Sequence, residues 1–584
     1  MLHYTPPLRD LRFVLHEVLG AAQRLQALPG HAEMDAATLD TLAEEAGRFA
    51  ADRILPVNAA ADAVGCRWAD GEVTMPPGFA AAYQAYRELG WPAICADTGV
   101  GGQALPTVVF STVNELVASA SHAFVMIAAI NHCAAACLRH SASAALQAQW
   151  LPGLASGRVL SSMCMTEPQA GSDIGLLSTR AVPDDQGSYR LSGSKIFASG
   201  AEHDLSDNIV HLVLARVPGA PAGSRGISLF LVPKRLPDGR RNGVHCDGIE
   251  HKMGLHGSPT CALRFDDARG WLIGEVNAGL PAMFPMMNEA RLLSGLQAVG
   301  LSELALQNAL AYAKERRQGR SPAGRQPCTL VEHPDVQRML LTQKAWTEGG
   351  RALVHWAALL IDDAARHPEA DQARAAGELL GLLTPIIKGF LSENAQQSIS
   401  LALQTFGGHG YVRETGIEQL ARDARVITLY EGTTGIQGQD LLLRKVLGDG
   451  GSRLQRLLTL VRDWLAGPGQ GAAMAEFAAP LARLLDELQS LTQTLGARER
   501  AAPGAALGAG TVYLRIAGHL VLAWLWARMA QASHAGAAQG DAWYALKLET
   551  ARFYFTQMLP ETQALRAAAL APASDTAALL AASH

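Results

Sequence analysis

The sequence predicts an α+β multidomain protein in which a β domain is inserted between helical ones, and three observations predict it. Ala and Leu recur at three- and four-residue spacing from Ala36 to about Ser156. Between about Val159 and Gly274 the short runs IVHLVLARV (Ile209 to Val217), GISLFLVP (Gly226 to Pro233) and TCALRF (Thr260 to Phe265) are β-rich and separated by Gly, Pro and Asp clusters. Long amphipathic patterns then return from Gly279 to Leu447.

Taken in order, residues 1–35 read as an N-terminal arm that packs on the main body. Residues 36–158 form a helical domain, with loops marked by Gly and Pro such as DTGVGGQALP, Asp97 to Pro106. Residues 159–275 are the middle β domain. Residues 276–447 are a second helical domain, whose run from Leu292 to Arg317 ends in a basic turn, as a helix C-terminus prefers. The Gly-rich hinge GDGG after Leu447 opens a further helical C-terminal domain, 448–584. There Leu481, Leu484, Leu485, Leu488, Leu491 and Leu495 keep helical spacing.

The chain has 584 residues, 49% hydrophobic and 18% charged, enough apolar surface to offset chain entropy. Its 54 acidic and 49 basic residues give a formal net charge of −5 and no broad field for nucleic acid or an anionic membrane. Eight cysteines without a CxxC pair argue against a disulfide scaffold or zinc ribbon, and Cys133 and Cys137 read as small buried residues. Charges inside the opening MLHYTPPLRDLRFVL do not support export, so a cytoplasmic location is expected. The most apolar stretches, Phe124 to Leu138 and Ile516 to Trp526, are interrupted and fall short of a membrane span, so no integral membrane segment is expected. No metal motif, GxSxG elbow, Walker loop or GxGxxG fingerprint is present, so no metal ligands are assigned.

Four segments are less generic. MTEPQAGSD (Met165 to Asp173) crowds hydroxyl and backbone donors after a proline, suited to phosphate or heterocycle oxygens, although an ordinary Gly-rich turn explains it equally well. GSKIFASG (Gly193 to Gly200) reads as a strand that puts Phe197 and Ser199 on one face. In QTFGGHGYVRET (Gln404 to Thr415), three glycines allow close backbone approach to a ligand. In ARDARVITLYEGTTGIQ (Ala421 to Gln437), Glu431 follows an apolar run. A poorly solvated turn would raise its pKa and make it a base, while a helix N-cap role for Glu-Gly-Thr-Thr is as good a reading of these residues alone.

Together, MTEPQAGSD, QTFGGHGY, RDAR and LYEGTTGIQ, in this order, resemble the acyl-CoA dehydrogenase family over about Ala36 to Leu447. The resemblance implies a flavoprotein with FAD as cofactor, a helical N-terminal domain, a central β-barrel domain and a C-terminal four-helix bundle. Glu431 falls on the catalytic base, which takes the pro-R α-proton of the acyl thioester while the β-hydride passes to flavin N5, giving a trans-2-enoyl-CoA. The backbone N–H of this glutamate and a flavin hydroxyl bind the thioester oxygen. Met165, Thr166 and Ser172 match the flavin-contacting loop, and Phe197 and Ser199 stand where many members have Trp and Thr. Phe197 lacks the indole donor and keeps only the packing role. Arg316 in AKERRQGR matches the arginine that reaches a neighbouring subunit's FAD. Gln404, Gly407 and Gly408 match the partner segment of that shared site, and Thr433 the segment that follows the base, so a homodimer is expected. Asn288 and Arg291 in MMNEAR, with Ser172 and Gly432, fall on substrate contacts, the family often having Asp in place of Asn288.

Continuation beyond Leu447, with YTPPLRDLRFVLHEVL and IEHKMGLHGSPTC, resembles the bacterial 3-methylmercaptopropionyl-CoA dehydrogenase-like subgroup. The implied substrate is a medium- to long-chain fatty acyl-CoA, with the methylthio-propionyl thioester as the alternative, and electron-transfer flavoprotein as the acceptor. The stretch Asp97 to Leu105 and the helix after Gly279 are expected to line the acyl tunnel. An acyl-CoA oxidase shares the fold and base. A DNA-associated family member also carries a long extension, but the charges after Leu447 are nearly balanced and lack a basic stripe, so no nucleic-acid partner is expected.

Overall fold

The computed structural model describes residues 2–324, 326–572 and 580–582; the remaining positions, in the arm, the second helical domain and the last domain, lie outside the described residues. The arm carries α1 (Leu8–Arg12) and α2 (Ala21–Gln26). The first helical domain comprises α3 (Ala36–Phe49), α4 (Leu55–Val64), α5 (Phe79–Glu88), α6 (Thr107–Ala120), α7 (His122–Ala128), α8 (Ile130–Ser141) and α9 (Ala144–Ala155). A hairpin that the helical pattern did not predict, β1 (Arg67–Ala69) with β2 (Glu72–Thr74), turns at Asp70-Gly71. Both turn residues have positive φ, 51° and 84°, the geometry for which Asp-Gly is the strongest short-range hairpin signal.

The β domain holds β3 (Val159–Cys164), β4 (Arg180–Pro183), β5 (Tyr189–Ser199), β6 (Asn208–Ala215), β7 (Ser228–Pro233), β8 (Val244–Ile249) and β9 (Thr260–Ile273). Their order is β3-β6-β7-β9-β5-β4, with β8 beside β9, and β3 pairs with β6 in parallel while the other pairs are antiparallel. A bridge between Arg180 and Arg216, just past β6, brings β4 back to the sheet and curls it toward a barrel. Inside lie Leu191, Ala198, Val213, Phe230, Leu263 and Phe265, from alternate positions of four strands.

The second helical domain is built on three long helices, α10 (Gly279–Glu315), α11 (Pro334–Arg366) and α12 (Ala370–Phe406). Short α13 (Ile417–Arg425) and α14 (Thr434–Gln439) follow, α14 being continued by a π-helical segment, Asp440–Leu447. Glycines bring the long helices close: a Cβ at Gly295 would sit 2.4 Å from Ile387 of α12, and one at Gly300 2.7 Å from the Ser119 backbone of α6. The last domain contains α15 (Ser452–Ala466), α16 (Ala475–Ala501), α17 (Gly510–Ala538), α18 (Ala542–Phe553) and α19 (Glu561–Leu570). It docks on the bundle where Gly438 meets Gly510 and Gly518 meets Phe390, contacts in which no Cβ fits.

The arm wedges between bundle and tail. Phe13 packs edge-on against Trp543 of α18 at 5.2 Å, and Asp10 pairs with Arg351 of α11 and Lys547 of α18. The apolar segments are longer than the sequence reading allowed. Three segments, His122–Ser141, Ala370–Tyr411 and Leu507–Ala538, are long and apolar enough to cross a membrane by length and composition, because the helices extend past the interruptions seen in the sequence. Some 67 to 72% of each apolar window is buried against other helices of the same chain, which accounts for the apolarity by packing.

Candidate active site

The turn between the 3₁₀ segment Val426–Thr428 and α14 carries Glu431 and Gly432, both left-handed, with φ of 55° and 87°. A left-handed glutamate is held only where its surroundings over-determine it, and here the holding groups are explicit. Gln437 Nε2 donates to the Glu431 carbonyl at 2.8 Å, and Lys388 Nζ, from the middle of α12, donates to the Gly432 carbonyl at 2.6 Å. Tyr430 donates its hydroxyl to Gln297 of α10. Thr433 caps α14, its Oγ1 accepting from Ile436 N at 3.4 Å. The cap and the candidate base, alternatives in the sequence, are therefore two different residues.

Glu431 Oε2 is buried and has no hydrogen-bond partner among the described residues. Burial pushes the Glu431 carboxyl above the usual carboxylate range, while Arg291 and Lys388 pull the other way. Arg291 is itself paired with Asp440 at 3.3 Å, and its Nε is buried without a partner. Asn288, one turn earlier on α10, is exposed. Arg291 thus faces the carboxylate turn, whereas Asn288 faces outward.

A second edge comes from the β domain. Met165 and Thr166 leave β3, and Ile196 N donates to the Thr166 carbonyl at 2.9 Å. Strand β5 is bulged between Lys195 and Ala198, which turns Phe197 to φ 57° and leaves its ring 59% exposed, while Ala198 points into the barrel. Ser199 lies on the same outer side and is half-buried, and Ser172 is exposed farther along the loop. A large apolar ring left open beside two hydroxyl-bearing residues suits the face of a planar heterocycle. Behind this edge the buried Lys195 donates to the Met165 carbonyl at 3.1 Å and pairs with Glu167 at 2.8 Å.

The two edges are linked through α7. A Cβ on Gly200, at the end of β5, would meet Ile127 of α7 at 4.0 Å, and the adjacent Met126 accepts through its sulfur from Gln297, the partner of Tyr430. On the other side of the Glu431 turn a polar cleft is lined by Glu393, Gln396, Arg425, Thr428, Thr433 and Thr434. Near Asp97 and Val100 a separate, narrow cleft reaches His132 and Arg139.

Arg316, Gln404, Gly407 and Gly408 form a different patch. Tyr312 stacks on Phe406 at 4.4 Å, bringing the ends of α10 and α12 together, and all four residues are exposed. Roughly 37 Å of helix separates Arg316 from Arg291, so this patch does not border the Glu431 cleft of its own chain. Sequence reasoning missed Glu167, Lys195, Gln297, Lys388 and Gln437, which hold the site from behind. The one legible signal was a lysine alone in the apolar run PIIKGF.

Four family profiles match the chain: the acyl-CoA dehydrogenase N-terminal domain at residues 37–158, its middle domain at 162–268, its C-terminal domain at 277–445, and an acetyl-CoA dehydrogenase C-terminal-like domain at 457–579. The chain is 39% identical over 575 residues to 3-methylmercaptopropionyl-CoA dehydrogenase of Ruegeria pomeroyi, covering 96% of this chain and 97% of the relative. It is 35% identical over 602 residues to the broad-specificity linear acyl-CoA dehydrogenase FadE5 of Mycobacterium tuberculosis, covering 96% of each. Among solved structures, an acyl-CoA dehydrogenase from Bacillus anthracis complexed with FAD shares the fold, with a TM-score of 0.74 at 20% identity, over 94% of this chain and 90% of that one.

Proposed function

The chain belongs to the acyl-CoA dehydrogenase family, and from that premise we propose that it desaturates a linear fatty acyl-CoA of medium to long chain to the trans-2-enoyl-CoA, with FAD as cofactor and electron-transfer flavoprotein as electron acceptor. The observation that carries this reading is the Glu431 Oε2, buried without a hydrogen-bond partner among the described residues on a turn held in the left-handed conformation.

Those residues fit FAD. Phe197 and Met165 offer an apolar shelf for the ring, Thr166, Ser199 and Thr433 offer hydroxyls, and Ser172 and Arg316 suit a pyrophosphate. Bound FAD supplies the acceptor for the β-hydride. The protein's own part is proton chemistry and placement. Glu431 Oε2 takes the α-proton, and its raised pKa brings the carboxylate closer in basicity to the weakly acidic thioester α-carbon. The N–H of Glu431 has no acceptor among the described residues, so it is free to donate to the thioester oxygen, where negative charge develops. Gln437 and Lys388 fix the carbonyls of the same turn and so aim that N–H.

The Arg316 patch lies too far from Glu431 to act on the same cofactor within one chain, which supports a homodimer in which each cleft is completed by the partner's patch. A second substrate reading, the methylthio-propionyl thioester, is favoured by the Ruegeria relative. Steady-state assays with butyryl- to stearoyl-CoA and the methylthio thioester, using a dye acceptor and electron-transfer flavoprotein, test both readings. The highest kcat/KM on the medium and long chains supports the first, on the methylthio thioester the second, and no turnover of any acyl-CoA overturns the proposal.

A further inference from the structure

We propose that Lys388 is a positioning residue for the Glu431 base: through the Gly432 carbonyl it holds the base turn in its left-handed conformation, and its ammonium adds to Arg291 a second positive charge that favours the ionised base. The inference rests on the proposed role of Glu431 and adds to it a residue that acts through the Gly432 carbonyl.

Lys388 sits in the middle of α12 among Pro385, Ile386, Ile387 and Phe390, and its side chain is fully buried. A lysine is rarely placed in such surroundings without a partner, and among the described residues its ammonium donates at 2.6 Å to the carbonyl of Gly432, next to the base. That carbonyl receives only a long second contact, 3.4 Å from Gln437. With Glu431 and Gly432 both left-handed, removing Lys388 leaves a strained glutamate held on one side only.

The charges around Lys388 come from three directions. Glu431 faces it from the turn, Arg291 from α10, and Glu393 from its own helix. Arg291 is already matched by Asp440, on the π-helical segment that also carries Lys445. On the tail side, Arg515 of α17 is matched by Glu561. Burial lowers the Lys388 pKa to about 8, with Glu431 opposing the fall. Below that pH the ammonium stabilises the Glu431 carboxylate, and above it both the charge and part of the grip on the turn are lost.

The test compares Lys388→Met and Lys388→Arg with the FAD-loaded wild type. In the Met variant kcat should fall at least tenfold and KM change less than threefold. The acid limb of kcat against pH should move upward, since the base has lost one of the two cations that favour its charged form. An infrared titration of the Glu431 carboxyl band, taken as the difference from Glu431→Gln without substrate, should move the same way and reads the base independently of turnover. The Arg variant keeps charge and donor, so its acid limb should return toward wild type. Because a guanidinium does not titrate in this range, the alkaline limb near pH 8 should disappear. An unmoved carboxyl titration in the Met variant overturns the proposal. If that variant does not fold, an alkaline limb that persists in the Arg variant overturns it instead. Failure of the Glu431 reading is told apart by Glu431→Gln retaining turnover.

Discussion

Lys195 and Glu167 form an ion pair at 2.8 Å with both side chains shut off from solvent, directly beneath the loop that carries Met165 and Thr166. Glu167 also accepts from the backbone and hydroxyl groups of Ser178 and Thr179, so one carboxylate ties the loop's start to its end. Breaking a buried pair by removing one charge strands the other, at a cost of about 3 to 5 kcal/mol. Glu167→Gln should therefore lower the Tm and weaken flavin retention, read from flavin absorbance after gel filtration. Burial opposes ionisation here, yet Lys195 and the hydrogen bonds win and bring the pKa to about 2. A depressed pKa gives stability that is present above the unfolded carboxylate range and lost as pH falls toward the folded value. The Tm gap between wild type and variant should hold at neutral pH and narrow below about pH 4.

Glu431 carries the opposite sign. Its pKa is raised by burial, so its charge costs stability above the ordinary glutamate range, and that cost disappears at lower pH, where both folded and unfolded forms are protonated. Glu431→Gln should be inactive, retain flavin and melt higher than wild type at pH 7. The difference should vanish near about pH 4. A variant less stable than wild type at pH 7 would mean that Arg291 and Lys388 outweigh the burial.

The helix, strand, helix order and the base turn were legible in the sequence because periodicity and turn residues are local. Phe197 and Ser199 were legible as one face of a strand, but the bulge that turns the Phe197 ring outward was not, since it depends on the register of β5 against β9. Glu167, Lys195 and Lys388 were missed for a related reason. Their meaning comes from partners 28 and 44 residues away in the chain, a separation that no spacing rule reaches. The length of the apolar helices was not legible because interrupting polar residues read as helix limits, whereas α17 buries its His519 against Tyr554 and Glu561.

Asp10 is the arm's anchor. It meets Arg351, whose other bonds go to Glu115 and Glu303 at 2.7 Å, and Lys547, which also pairs with Glu348 at 2.8 Å. Arm, first domain, bundle and tail thus share one buried charge network. Asp10→Asn removes the arm's only charge from it and leaves Arg351 and Lys547 undercompensated. The variant should lose about 3 kcal/mol. Limited proteolysis should then cut within the first thirty or so residues before the β domain, whereas an unchanged cleavage order would show that Leu11, Phe13, Val14 and Leu15 hold the arm by packing alone.

The separation between Glu431 and Arg316 permits a test of site sharing that needs no structure of a complex. Arg316 is exposed at the end of α10, so Arg316→Gln should fold normally yet bind flavin poorly. Glu431→Gln should bind flavin and not turn over. If each cleft takes its base from one subunit and its arginine from the other, a mixed dimer has one cleft with both defects and one with neither. Denaturing and refolding the two inactive variants together should then restore about a quarter of wild-type activity, since half the dimers are mixed and each has one intact site. If Arg316 served the cleft of its own chain, every site in every dimer would carry one defect and activity would stay at the level of the separate variants. Recovery on mixing therefore requires two chains at each site, and its absence, with mixed dimers shown by mass spectrometry, would remove the shared site.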